Sequence, residues 1–249
     1  MSRPIFAANW KMHHGPSDAR EFVRSFIKQY SRRSGRTVYI FPSAAALTAV
    51  AGELRDRPDI IVGVQNIHWE DKGAFTGETS ASIARDAGAR AALVGHSERR
   101  HVFGETDDQT SRKVAAAVRA GLTPVLCVGE LLEQREAGDT DAVVLRQLAA
   151  GFSALEPDKL AAAVVAYEPV WAIGTGLTAT PADASSVHGV IREALTAKFG
   201  ERAGKVPILY GGSVNRGNVV ELLAAPDVDG VLVGGASLDA TGWAAIANS

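Results

Sequence analysis

The chain of 249 residues holds a single cysteine, Cys127. No intrachain disulfide can form, and a reducing compartment is expected. Charge of neither sign predominates: 26 Lys and Arg stand against 28 Asp and Glu, a formal net charge of −2. That balance excludes the basic surface that binding to nucleic acid demands. No apolar run reaches the roughly 18 residues of a membrane span. The opening stretch, MSRPIFAANWKMHHG, lacks the apolar core of a signal peptide. No H-E-x-x-H or C-x-x-C occurs, and His13, His14, His68, His101 and His188 lack metal-ligand spacing. No linker, low-complexity segment or charge run divides the chain. The expectation is a soluble, cytoplasmic protein of one domain over residues 1–249, with no metal, nucleic-acid or membrane partner.

What is present is an alternation. Short apolar runs at 5–10, 37–41, 60–65, 91–95, 123–128, 163–167, 207–210 and 230–233 read as strands. Several are unbroken Val, Ile, Leu and Ala, as expected for parallel strands covered on both faces. Amphipathic stretches lie between them. Residues 17–31 place Phe22, Phe26, Ile27 and Tyr30 on one face, and 107–119 read in the same way. Residues 140–152 align Leu145, Leu148 and Phe152. Residues 181–199 open on Pro181, a good first-turn residue, and run through Val187, Val190, Ile191, Leu195 and Phe199. Eight strand-then-helix units predict a parallel sheet closed into a (β/α)8 barrel. An open doubly wound sheet would use fewer strands and usually a Gly-rich turn after the first. Here the first run ends in Asn9-Trp10-Lys11, with no G-x-G-x-x-G.

In such a barrel, chemistry sits on the loops that follow the strands. The first strand delivers Asn9 and Lys11, the fourth His96, and the sixth Glu168. The seventh runs into YGGSVN, with Gly211, Gly212 and Ser213. The eighth runs into LVGGASL, with Gly234 and Gly235. Taken singly, each has an ordinary reading: a cap, an ion-pair partner, a structural histidine, a turn. The arginines at 32, 33 and 36 read as a solvated helix end, and Ser97, Glu98, Arg99 and Arg100 as an ion-pair network. Cys127 reads as core. Together, however, a carboxylate, an imidazole, an ammonium and an amide converge with two glycine pairs. Glycines let backbone N–H groups approach a phosphate, and barrels commonly bind phosphate on their last two loops. A carboxylate leaving an apolar strand beside Tyr167 and Trp171 is poorly hydrated, which favours its neutral form and strengthens the anion as a base.

These segments resemble the triosephosphate isomerase family: ANWKM (8–12), GAFTGETSA (73–81), GHSERR (95–100), FGE (103–105), CVGE (127–130), AYEPVWAIGTG (166–176), YGGSV (210–214) and LVGGASL (232–238). They run in family order from end to end of the chain. The resemblance implies a TIM barrel, and an isomerase of triose phosphates in glycolysis and gluconeogenesis that needs no cofactor. It implies that Glu168 is the base and that His96, held neutral, donates to an enediolate. Lys11 and Asn9 would face the anionic substrate, with Gly174, Ser213, Gly234 and Gly235 on the phosphate. The family is itself a reference case for tuned acid–base groups and lid closure. Positions 169–171 and 174–176 would be the hinges of a lid with Ala172 and Ile173 at its tip. The stretch at 65–81 is too long for a simple turn. By resemblance it is the interdigitating loop of a homodimer, with Thr76 reaching toward the partner's copy of Asn9 and Lys11. Exposed Trp69 and Phe75 would favour such a partner. His13, His68-Trp69 and Leu177 depart from the commonest family pattern. The pair at 68–69 resembles a sister branch acting on four-carbon ketose phosphates. A barrel that binds sugar phosphates without turnover is the other alternative, and it would have no use for the base.

Overall fold

The computed structural model describes residues 3–160, 162–173, 179–201 and 203–249. The strands are β1 (Ile5–Asn9), β2 (Thr37–Phe41), β3 (Ile60–Val64), β4 (Ala91–Val94), β5 (Thr123–Val128), β6 (Val164–Tyr167), β7 (Ile208–Tyr210) and β8 (Gly230–Val233). They pair in parallel in chain order, and β8 returns to β1 with Ile5 opposite Gly230, so the barrel closes. The predicted architecture holds. Three of the eight predicted strands match to the residue; the others are trimmed, because polar or turning residues such as Gln65 and Gly95 belong to the loops.

The helices are α1 (Pro16–Gln29), α2 (Leu47–Glu53), α3 (Ala81–Asp86), α4 (Ser97–His101), α5 (Asp107–Arg119), α6 (Leu132–Glu136), α7 (Thr140–Gly151), α8 (Pro157–Leu160), α9 (Pro181–Phe199), α10 (Val219–Ala224) and α11 (Ala240–Ala247). Their ends follow local chemistry. Thr106 and Gln109 form a reciprocal cap at the start of α5, and Thr180 and Asp183 do so at α9, where Pro181 occupies the first turn. Among the described residues no helix is long and apolar enough to cross a membrane.

Alternation along the strands builds two layers. Ile5, Ala7, Tyr39, Phe41, Leu93, Val125, Val164, Ala166, Leu209 and Leu232 belong to the cluster filling the barrel. Phe6, Ala8, Val38, Ile40, Val165, Tyr210 and Val231 pack outward under the helices. The inward parity ends on Asn9 in β1 and, one step past the other strands, reaches Gly129, Glu168, Gly211 and Gly234. The barrel therefore aims these positions into its own mouth.

Two expectations about surfaces change. Arg36 is half-buried, lies over the Phe6 ring at 5.3 Å and donates to Ala247 O, so it closes the end of α11 rather than standing in solvent. On α7 the buried face is Val143, Val144, Gln147, Leu148 and Gly151, while Leu145 is only partly covered.

Candidate active site

A cleft of about 370 Å³ opens at the carboxyl ends of the strands. Asn9, Lys11, His96, Glu168, Ser213, Gly234 and Gly235 line it, together with Gly211, Gly212 and Ile173. Seven of the eight residues predicted to act on the substrate thus share one cavity. The eighth, Gly174, lies outside the described residues, as do the hinge at 174–176 and Leu177.

Glu168 is 2% exposed at the end of β6. One carboxylate oxygen stands 3.0 Å from His96 Nε2. The other accepts from the Ser97 N–H at 2.9 Å. Parity does not bring His96 here; a turn does. Gly95 takes φ +72, a left-handed conformation suited to glycine, and ends β4 early. Glu105 accepts from the Gly95 N–H at 2.9 Å and is paired with Lys113 at 2.6 Å, so the turn is held from behind. His96 then caps α4: its Nδ1 accepts from the Glu98 N–H at 3.2 Å. That bond leaves the ring's proton on Nε2, facing Glu168.

Burial favours the neutral ring of His96, but the Glu168 carboxylate more than offsets it, and the pKa lies above the ordinary 6.5. Burial likewise favours neutral Glu168. The opposing pull of His96, the Ser97 N–H and Lys11 is larger, and the pKa falls below 4.5. The expected pull of poor hydration toward the neutral form is present, but the three polar partners outweigh it.

Lys11 reaches the cleft from a left-handed backbone, φ 51, which non-glycine residues rarely adopt. The Asn9 side chain accepts from the Lys11 N–H at 3.0 Å, and Gln65 donates to the Lys11 carbonyl at 2.8 Å. The ammonium pairs with Glu98 at 2.6 Å. The two glycines after β7 are required by contact, whereas a Cβ on Gly234 would meet only Lys11 at 3.4 Å and one on Gly235 nothing within 4 Å. A Cβ on Gly211 would come within 2.9 Å of Glu168 Cγ, and one on Gly212 within 2.2 Å of the Tyr210 hydroxyl.

Past Glu168, a turn of 3-10 helix covers Val170–Ala172. Glu130 is fully buried and accepts from the Tyr167 hydroxyl at 3.0 Å and the Trp171 indole at 2.8 Å. Arg135 lies over the Trp171 ring at 4.3 Å and pairs with Asp183 of α9 at 2.7 Å, so one side chain touches both approaches to 174–178. Sequence reasoning missed the supporting roles of Glu130 and Arg135. For Glu130 the signal was an acid two residues past the end of a buried strand.

In the 65–81 loop, His68 is buried, stacked on Trp69 at 4.2 Å and beside Phe75 at 4.3 Å. Arg112 lies over Trp69 at 4.2 Å. Trp69 is therefore partly covered by its own chain, contrary to expectation, while Phe75 is 43% exposed. Neither His68 nor Trp69 lines the cleft. Thr76 is exposed.

A closed (β/α)8 barrel with a buried carboxylate–imidazole pair, an ammonium and paired glycines at its mouth defines a barrel enzyme. A family model described as "Triosephosphate isomerase" matches residues 4–249. The chain belongs to the triosephosphate isomerase family. It is 49% identical over 248 residues to the triosephosphate isomerase of Moorella thermoacetica, covering 100% of this chain and 99% of that one. Identity to the Symbiobacterium thermophilum protein of the same name is 49% over 247 residues, 99% of this chain and 96% of that one. Among solved structures, the Bartonella henselae triosephosphate isomerase superposes with a TM-score of 0.87 at 37% identity, covering 98% of this chain and 97% of that chain.

Proposed function

We propose that this protein interconverts dihydroxyacetone phosphate and D-glyceraldehyde 3-phosphate through an enediolate, serving glycolysis and gluconeogenesis from the cytoplasm. The reaction moves one proton between adjacent carbons, so it calls for an acid and a base alone. Glu168 takes the proton from the carbon beside the carbonyl and returns it to the neighbouring carbon. The His96 Nε2–H donates to the oxygens as charge develops on them. Substrate entering between Glu168 and His96 parts the pair. Burial and the Glu98 N–H then favour the neutral ring, the form with a proton to give. Lys11, with Asn9 beside it, supplies fixed positive charge. Ser213, Gly234 and Gly235 take the phosphate, largely through backbone N–H groups, and Gly174 would join them.

The 3.0 Å contact between His96 Nε2 and Glu168, inside a cleft also lined by Lys11 and both glycine-rich loops, carries this reading. A four-carbon substrate gains no support from the site, because His68 and Trp69 pack on each other outside the cleft. The test is Glu168→Gln. Turnover should fall by about 10²–10⁴-fold, the usual weight of a positioned acid–base group, while inorganic phosphate still binds. Turnover at the wild-type rate would remove Glu168 from the role of base.

We also propose a homodimer built on the 65–81 loop. Thr76 at its exposed tip would approach Asn9 and Lys11 of the second copy.

A further inference from the structure

β5 loses its neighbour before its own end. Its odd-numbered residues turn their peptides toward β4, as the Thr123 N–H does in donating to Arg90 O at 2.9 Å. The pairing stops at Val94 opposite Leu126, because Gly95 turns β4 away to carry His96. The carbonyl of Cys127 and both peptide groups of Gly129 are then left facing no strand. All lie in the interior, where an unpaired peptide group is costly. Two side chains stand in for the missing strand. Arg100 donates to Cys127 O at 3.2 Å. Gln147, reaching in from α7 and 4% exposed, straddles Gly129: its carbonyl oxygen accepts from the Gly129 N–H at 2.8 Å and its amide nitrogen donates to Gly129 O at 3.1 Å.

The other side of Gly129 bears on Glu168. A Cβ built on Gly129 would stand 1.7 Å from Glu168 O, so the two main chains are in the closest contact glycine permits. On either side of it, Glu168 N–H donates to Val128 O at 2.7 Å and Val170 N–H to Glu130 O at 3.1 Å. The backbone that presents Glu168 is thus seated on residues 128–130. That seat is held from behind by one buried amide.

We propose that Gln147 is a positioning residue for Glu168. Its amide replaces the departed β4 edge and sets, through Gly129, how far the Glu168 backbone stands from His96. The inference rests on Glu168 being the base. Small displacements of a reacting group cost rate steeply, whereas the phosphate-facing turn after β8 has Lys11 and not Glu168 beside Gly234.

The test compares Gln147→Met and Gln147→Glu with wild type. For Gln147→Met, of similar length but without the hydrogen bonds, kcat should fall about tenfold or more. KM and inhibition by inorganic phosphate should stay within about twofold of wild type. For Gln147→Glu, the ionised side chain still accepts from the Gly129 N–H but repels Gly129 O, while the protonated one restores both bonds. The ratio of its kcat to that of wild type should therefore rise toward one as pH is lowered, starting above the ordinary carboxylate range because the site is buried. A loss of packing alone would lower the melting temperature and leave kcat and this ratio flat; either flat result overturns the proposal. Should Gln147→Met fail to fold, the Gln147→Glu series decides. Glu168→Gln assayed in parallel separates the two readings. Its inactivity beside full kcat in Gln147→Met rejects Gln147 alone, and its retained activity rejects the base and this inference with it.

Discussion

A base that must take a proton from carbon works best when little water surrounds it, yet burying a carboxylate without partners would simply protonate it. Glu168 meets both demands through its neighbours. The His96 ring, the Ser97 N–H and the charge of Lys11 hold the anion in place of water. The direction of its pKa gives a test. In the free enzyme Glu168 should stay ionised to below pH 4.5, and kcat/KM should lose this base only as pH falls through that lower value. The substrate's own phosphate titrates near about 6 and must be separated from it. A pH series of kcat/KM, with the phosphate's protonation measured independently, should show an enzyme limb below 4.5. Protonation of His96, whose pKa stands above 6.5 in the free enzyme, sets its own limb there, so an enzyme limb falling between 4.5 and 6.5 would mean that some other group controls activity.

At the level of elements, α9 carries a second buried titrating group that plays no part in the proposed chemistry. His188 is fully buried; its Nδ1–H donates to Asp227 O at 2.9 Å, and its ring meets Tyr167 edge-on. Burial pushes its pKa down from 6.5 to about 4, with Asp227, Asp229 and Arg192 acting in smaller amounts. The unfolded chain therefore binds this proton first as pH falls. Its contribution to stability is intact above pH 6.5 and is lost on the way down to about 4. The shift corresponds to about 3 kcal/mol. Urea unfolding at stepped pH should show that loss in wild type, and His188→Asn should flatten the curve by the same amount. An unchanged slope would mean the group does not carry it. His188 stood in the sequence as one more silent histidine, whereas Asn9, Glu168 and Gly234 could be placed by the two-residue period of their strands. His96 could be placed only with its glycine: Gly95 breaks the parity, and nothing in the spacing says which way the turn aims the ring. Gln147 was illegible. It lies on the buried stripe of an amphipathic helix, and its partner is a backbone 18 residues earlier that bears no side chain to signal the pairing.

At the level of the whole molecule, one sector of the barrel mouth is less finished than the rest. Met12 follows β1, Phe75 follows β3, and Val102 and Phe103 follow α4 after β4; they are 95%, 43%, 71% and 65% exposed. Large apolar side chains gathered on adjacent loops at one end of a protein mark a surface meant to be covered. Their loops are also tied to the cleft: Lys11, next to Met12, pairs with Glu98, and Lys113 bridges Asn66 at the root of the 65–81 loop to Glu105 under Gly95. A second copy seated here would bury apolar surface and brace both the ammonium and the turn that aims His96. Stability and activity should then depend on association. Sedimentation equilibrium is expected to give a dimer, and Phe75→Glu is expected to shift it toward monomer. The monomer should unfold at lower denaturant and turn over more slowly, with activity per chain rising again as protein concentration is raised. A Phe75→Glu protein that is monomeric at every concentration yet fully active would mean that each barrel completes its own site, leaving this apolar sector to some other partner.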